Sequence, residues 1–183
     1  MPHSQSEQLL KLRSGQLSGA KRLDLSCGLT AFPTEIFDLA DSLEVLNLSG
    51  NALSSLPHDF ARLKKLKILF CSNNQFTEVP EVLGQCESLS MIGFKANRIS
   101  RLPEQSLPKN LQWLILTDNQ LAAVPSAIGQ CTRLQKLMLA GNQLTSLPNS
   151  LAACTALELL RISANHFASL PDWLLDMQRL AWL

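Results

Sequence analysis

The chain has 183 residues and carries 16 Lys and Arg against 15 Asp and Glu, a formal net charge of +1. That balance excludes the broad basic face that nucleic acid or an anionic membrane demands. Apolar residues make up 46% of the chain but aromatics only 5%, and Tyr is absent, so aliphatic side chains, chiefly Leu, must fill the core. No apolar run approaches the ~18 residues of a membrane span. The opening Met1-Pro2-His3-Ser4-Gln5-Ser6-Glu7 has neither the basic nor the apolar region of a secretory signal. A cytoplasmic location is the resulting expectation.

Residues 1–19 read as a helical cap. Ser6 is placed to cap a short helix that runs to Ser14, Glu7 suits its first turn and Gly15 its end. Leu9, Leu10 and Leu12 are expected to cover the open apolar end of the first repeat.

Residues 20–183 repeat one phrase. In its clearest copy Leu43, Leu46, Leu48, Asn51, Leu53, Leu56 and Pro57 stand at fixed spacing. The pattern returns from Leu66, Leu89, Leu111, Leu134 and Leu157, with an imperfect first copy from Ala20 and the opening of an eighth at Leu180. The starts are 23 residues apart with a single spacing of 22, and seven of the nine prolines fall at one phase. Self-similarity of this kind means stacked units that bury their apolar faces only against one another.

Within each unit the Leu-x-Leu pair has the period of a strand. Strands from successive units should lie parallel, about 4.8 Å apart, so seven would form a ribbon on the order of 30 Å long. The Asn after each strand is polar in an apolar phase. Its amide donates and accepts, which suits Asn51, Asn74, Asn97, Asn119, Asn142 and Asn165 to a structural ladder that satisfies turning backbone groups. After Leu-Pro, apolar pairs return at a spacing of three (Phe60/Leu63, Leu83/Cys86, Ile128/Cys131, Leu151/Cys154, Leu174/Met177), as one turn of helix or 3₁₀ with Pro at its start. The fourth unit has a second proline, Pro108, and one residue fewer, so its outer segment is expected to be extended.

The first unit is one residue short around Ser26-Cys27-Gly28 and lacks the Asn, as a terminal unit can. The last stretch, Arg179-Leu180-Ala181-Trp182-Leu183, stops inside a strand, and the expectation is that the chain is the front part of a longer one.

Candidate chemistry is sparse. Cys86, Cys131 and Cys154 share one apolar phase, Cys71 replaces a strand Leu, and no Cys-x-x-Cys pair exists. They read as small buried hydrophobes in a reducing compartment, with Cys27 the least settled. His3, His58 and His166 sit in the tail or at variable phases, and no phosphate-binding or nucleophile motif is present. The expectations are therefore no catalytic residue, no metal and no cofactor. Asn47-Leu48-Ser49 matches a glycosylation sequon, which without a signal peptide means little.

The outward phases of the strands are more informative. One reads Arg22, Val45, Ile68, Met91, Trp113, Lys136, Leu159 and Trp182, the other Asp24, Asn47, Phe70, Gly93, Ile115, Met138 and Arg161. Solvated strands should be polar at these phases. Val45, Ile68, Phe70, Met91, Trp113, Ile115, Met138 and Leu159 are instead apolar. Either they pack laterally and stiffen the ribbon, or they form an interaction strip rich in interface residue types. The second reading makes Phe70, Trp113 and Ile115 the energetic centre and Lys95, Thr117, Asp118, Lys136 and Arg161 a polar rim around a protein partner.

The repeat from about residue 20 to 183 resembles the leucine-rich-repeat family, which implies an α/β solenoid: a right-handed coil with a parallel concave sheet and short helical or 3₁₀ convex segments. The 23-residue Leu-Pro units resemble those of intracellular members, including the Ras-associated group. Leu23–Thr30, Leu69–Asn74, Gly93–Arg98, Trp113–Asn119 and Lys136–Asn142 resemble the front half of bacterial leucine-rich-repeat Ser/Thr-kinase-like proteins. That resemblance implies a recognition or autoregulatory module that binds a partner or a downstream kinase domain through its concave face. The chain itself contains neither His-Arg-Asp nor Asp-Phe-Gly. Two alternatives stand beside it. The segment Leu102-Pro103 to Leu107-Pro108 resembles the double Leu-Pro repeats of bacterial effectors with a downstream ubiquitin-ligase domain, and a stand-alone scaffold is the other.

Overall fold

The computed structural model describes the backbone of residues 2–181 and the side chains of residues 7–181. Helix α1 spans Pro2–Arg13. Ser6 therefore lies inside the helix instead of capping it; Pro2, which needs no N–H partner, occupies the first position. Leu12 is 2% exposed and Leu9 packs against the core, while Leu10 is 65% exposed. Leu10 therefore does not cover the first coil, because neighbours in a helix sequence point about 100° apart and only the i, i+3 pair shares the core side. The helix closes where the Gln16 N–H donates to Lys11 at 2.9 Å across Gly15, whose φ is 73°.

Seven three-residue strands come next: β1 Arg22–Asp24, β2 Val45–Asn47, β3 Ile68–Phe70, β4 Met91–Gly93, β5 Trp113–Ile115, β6 Lys136–Met138 and β7 Leu159–Arg161. They form one parallel sheet in sequence order, with a register that advances by one repeat at every step, Arg22↔Val45↔Ile68↔Met91↔Trp113↔Lys136↔Leu159. Trp182, next in that phase, lies outside the described residues. The ladder continues past the strands: the Leu48 N–H donates to Phe70 and the Leu139 N–H to Arg161, both at 2.7 Å. Leu46, Leu69, Ile92, Leu114, Leu137 and Leu160 point inward and are fully buried. Phe76 and Phe94 meet edge to face in the same core with centroids 4.9 Å apart, a geometry that aromatic quadrupoles favour.

Each ladder asparagine binds two repeats at once. Asn142 accepts the Leu121 N–H at 2.9 Å and donates to the carbonyls of Leu116 and Leu139, both at 2.9 Å. Asn74, Asn97, Asn119 and Asn165 repeat that set one coil apart. Asn51 serves the irregular first coil, accepting the N–H groups of Cys27 at 3.1 Å and Leu29 at 2.9 Å. Asn74, Asn119 and Asn142 are buried, and Asn51, Asn97 and Asn165 half-buried.

The residue before each of these asparagines holds a left-handed backbone, with φ of 72° at Gly50, 53° at Asn73, 54° at Ala96, 56° at Asp118, 68° at Gly141 and 52° at Ala164. Here the chain leaves the strand sharply enough to aim the next side chain into the core. Glycine takes that conformation without penalty, whereas alanine does not.

On the convex side the turns are 3₁₀ segments, Thr34–Leu39, Phe60–Arg62, Glu81–Gln85, Glu104–Ser106, Ser126–Gln130, Asn149–Ala153 and Asp172–Asp176. Six of them start directly after a proline with φ between −60° and −70°. The fourth unit is not extended, as its composition suggested. It keeps a three-residue 3₁₀ turn, Glu104–Ser106, in which the buried Ser106 hydroxyl donates to the Pro103 carbonyl at 2.6 Å. The Ser106 N–H donates to the same carbonyl at 3.1 Å, so the hydroxyl adds a second donor to the backbone bond that closes the turn. In the last coil Leu170 is 43% and Leu175 90% exposed.

Candidate protein-binding face

The outward phases of β1–β7 form the concave face, and their chemistry changes along it. At the β1–β2 end the guanidinium of Arg22 donates to both carboxylate oxygens of Asp24, at 2.7 and 2.8 Å. These hydrogen bonds hold the Asp24 carboxyl below its ordinary value; partial burial opposes them and the Asn47 amide, which donates to Asp24 at 3.1 Å, assists. Asn47 also accepts the Ser49 N–H at 3.0 Å, so the amide of the sequon is engaged on both sides within a strand. Beside it Glu44 binds Lys67 at 2.7 Å and Lys21 at 3.7 Å.

From β2 to β7 most outward positions of the face are apolar. Val45, Ile68 and Met91 line up on adjacent strands with Trp113, and Leu159 closes that row beyond Lys136. Phe70, Ile115 and Met138 form the parallel row. All eight are half-buried, so each packs sideways on its neighbours and still presents a surface. Half-burial of this kind fits lateral packing along the strip and leaves part of each side chain exposed to solvent.

Gly93 explains the middle of this surface. A Cβ there would sit 2.6 Å from Cδ1 of Phe70 and 3.9 Å from Cβ of Ile115. The absence of a side chain lets the Phe70 ring lie across the β4 backbone toward Ile115, closing the gap that glycine leaves within their row. The sequence places Gly93 in the outward phase, but only the ring position reveals its role. On the next strands Lys136 sets its ammonium 3.7 Å from the Trp113 ring centroid, an attraction of cation and aromatic face. Lys136 is thereby part of the strip itself, in contact with the aromatic centre that it was expected to border. Lys95 lies 3.8 Å from Asp118, Arg161 is exposed and Thr117 half-buried.

The cysteines lie elsewhere. Burial pushes the thiols of Cys86 and Cys131 up to about 11 and, with neighbouring Cys131 contributing, that of Cys154 up to about 12; Cys71 is raised further. Burial also raises Cys27, against a weaker opposing effect of Arg13. Thiols so far from ionising at neutral pH are poor nucleophiles. Among the described residues no group of three His, Cys, Asp or Glu side chains could hold a metal ion, and no helix is long and apolar enough to cross a membrane.

Comparison with known proteins agrees with this architecture. A leucine-rich-repeat protein of Leptospira interrogans is 32% identical in sequence and superposes with a TM-score of 0.69 over 90% of this chain and 48% of that one. The plant peptide hormone receptor RGFR1, solved in complex with RGF2, is 29% identical with a TM-score of 0.76 over 93% of this chain and 32% of the receptor. In sequence, the probable serine/threonine-protein kinase roco9 of Dictyostelium discoideum is 39% identical over 72 residues, which are 39% of this chain and 2% of the kinase. The chain thus spans about half of the Leptospira protein and a small part of roco9. The Leucine rich repeat family pattern matches residues 18–76 and 109–167. With more than half of its length matched and every strand one repeat from the next, the chain belongs to the leucine-rich-repeat family.

Proposed function

We propose that this protein is a recognition module of a larger bacterial leucine-rich-repeat protein kinase, holding a partner or the kinase domain of its own parent on the concave face. The observation that carries the reading is the apolar strip from Val45 to Leu159, with Phe70 and Trp113 at its centre. Half-buried Trp, Phe and Met on one open sheet face are the residue types that dominate binding energy at interfaces. The 72-residue similarity to a probable kinase supports the kinase setting, and the likeness to the Leptospira protein supports the bacterial one. A receptor of similar fold is known in complex with a peptide hormone, an instance of partner binding in this architecture. The five free thiols support a reducing, intracellular setting.

The test is a double substitution, Phe70→Ala with Trp113→Ala, in the intact chain. Crosslinking in a lysate of the source cells, read by mass spectrometry, should yield a partner whose recovery falls at least tenfold with the variant. A kinase domain among the crosslinked peptides would establish the setting. Circular dichroism and urea unfolding should show the variant still folded. Unchanged recovery, or a variant that unfolds, would return these side chains to a structural role.

A further inference from the structure

At one end of the concave face every cation has a carboxylate partner, and at the other two cations have none among the described residues. At the β1–β2 end Arg22 is neutralised by Asp24, and Lys21 and Lys67 share Glu44. In the middle Lys95 faces Asp118. At the β6–β7 end Lys136 and Arg161 stand beside the apolar strip on adjacent strands, and among the described residues neither has a carboxylate within ion-pair distance. Glu158 and Arg179 flank Lys136 and Leu159 in a shallow depression at the edge of the sheet; their charges offset each other and leave the excess at this end positive. Lys136 is also held against Trp113, so a cation is fixed at the border of the aromatic centre.

Resting on the reading of this face as a protein-binding surface, we propose that its occupant is an acidic peptide segment. It lays apolar side chains over β3–β5 and sets Asp or Glu side chains over Lys136 and Arg161. The chemistry comes from the surface. Burying the strip under an uncharged segment would desolvate two cations without compensation, which is costly. A carboxylate placed there converts that cost into charge-assisted hydrogen bonds. The unpartnered cations also give the complex a direction, because a segment bound in reverse would set its acids beside cations already engaged by Asp24 and Glu44. Two cations on neighbouring strands suit acidic side chains spaced along a segment better than a single chain terminus.

The experiment pans a random twelve-residue phage-displayed library on the intact chain and counter-selects on the Phe70→Ala, Trp113→Ala variant. Selected peptides should combine apolar residues with Asp or Glu on one side. As synthetic peptides they should bind the Arg161→Glu variant at least tenfold more weakly, and Asp/Glu→Lys exchange should restore binding to that variant. Because Arg161 is exposed, its replacement should leave the unfolding midpoint in place. Peptides that depend on the strip but carry no acidic excess and ignore Arg161→Glu would overturn the inference and leave the face as a binding surface. Peptides whose binding falls on C-terminal amidation and not on Asp/Glu→Asn/Gln would overturn the assignment to side chains. Recovery of no strip-dependent peptide would overturn both the inference and the reading beneath it.

Discussion

The inner layer and the concave face are made by the same three-residue strands, yet they obey different rules. Inward from β2 to β7 stand Leu46, Leu69, Ile92, Leu114, Leu137 and Leu160, all fully buried. One residue away stand Val45, Ile68, Met91, Trp113, Lys136 and Leu159, all half-buried, which run from a small aliphatic to an indole and an ammonium. Stacking explains the first column, since each inward side chain must fit the same slot against the same neighbours above and below. It does not explain the second, where any residue that tolerates a strand would serve. Variation confined to one side of a strand is compatible with the partner-binding role proposed for that side.

The largest effect should come from breaking the inner layer. Phe94 is fully buried and packs edge to face on Phe76, so Phe94→Ala should lower stability by about 3–5 kcal/mol. Urea unfolding monitored by circular dichroism would measure it. Trp113→Ala, on the other side of the sheet, should cost clearly less in the same assay. Equal losses would mean that the concave strip is core and that the contrast between the two layers is false. Asn142→Ala comes next, because it strands the buried N–H of Leu121 and takes one of two amide donors from the carbonyls of Leu116 and Leu139, which keep Asn119 and Asn165. The expected loss is roughly 1–3 kcal/mol. Asn165→Ala should fall at the lower end, since Asn165 is half-buried and water can reach its partners. A ladder position indifferent to burial would contradict the hydrogen-bond account.

Most of the inner layer is legible in the sequence, because strand, ladder and proline each recur at a fixed phase and the period supplies the register. The features that are not legible depend on single contacts. Leu10 belongs to an apolar triplet, but a helix cannot turn three near neighbours to one side. The second proline of the fourth unit suggests extension, yet the N–H and the hydroxyl of Ser106 both donate to the Pro103 carbonyl and hold a 3₁₀ turn. The left-handed column before the ladder does leave a signal in the sequence: Gly50, Asn73, Asp118 and Gly141 are all turn formers at one phase, masked by Ala96 and Ala164. On the concave face the apolar rows arise from alternation alone. The reach of Phe70 across Gly93 and of Lys136 onto Trp113 depends on rotamers, which alternation does not specify.

That left-handed column gives a smaller and opposite effect. Ala96 holds φ 54° where Gly50 and Gly141 hold the same turn without strain, and its N–H donates to Thr117 at 3.0 Å whatever its side chain. A left-handed alanine costs ~1–2 kcal/mol relative to glycine, and the extra freedom of glycine in the unfolded chain offsets ~0.4–1 kcal/mol of that. Ala96→Gly should therefore raise stability by about 0.5–1 kcal/mol, and Ala164→Gly, at φ 52°, by a similar amount. Thermal unfolding of the two single variants would show it. A loss at both positions would mean that the methyl groups pack well enough to outweigh the backbone.

The smallest effect belongs to the matched end of the concave face, and it is a dependence on pH. Asp24 has its carboxyl lowered chiefly by the hydrogen bonds from Arg22. A group whose folded value lies below its unfolded one contributes stability above the unfolded value, near 3.9 for Asp, and loses it as pH falls through the folded value. The stability difference between the wild-type chain and Asp24→Asn should accordingly be constant from neutral pH to about 5 and shrink below about 4. Because the Arg22 side chain is 61% and the Asp24 side chain 33% exposed, water and salt screen the pair, and the difference should also shrink in molar salt. The same titration separates the two ends of the face. Lys136 and Arg161 have no carboxylate partner to protonate among the described residues, so Arg161→Gln should change stability equally at pH 3.5 and pH 7. Acid sensitivity at that end would reveal a partner carboxylate within the chain itself and leave no unmatched charge for an acidic ligand to meet.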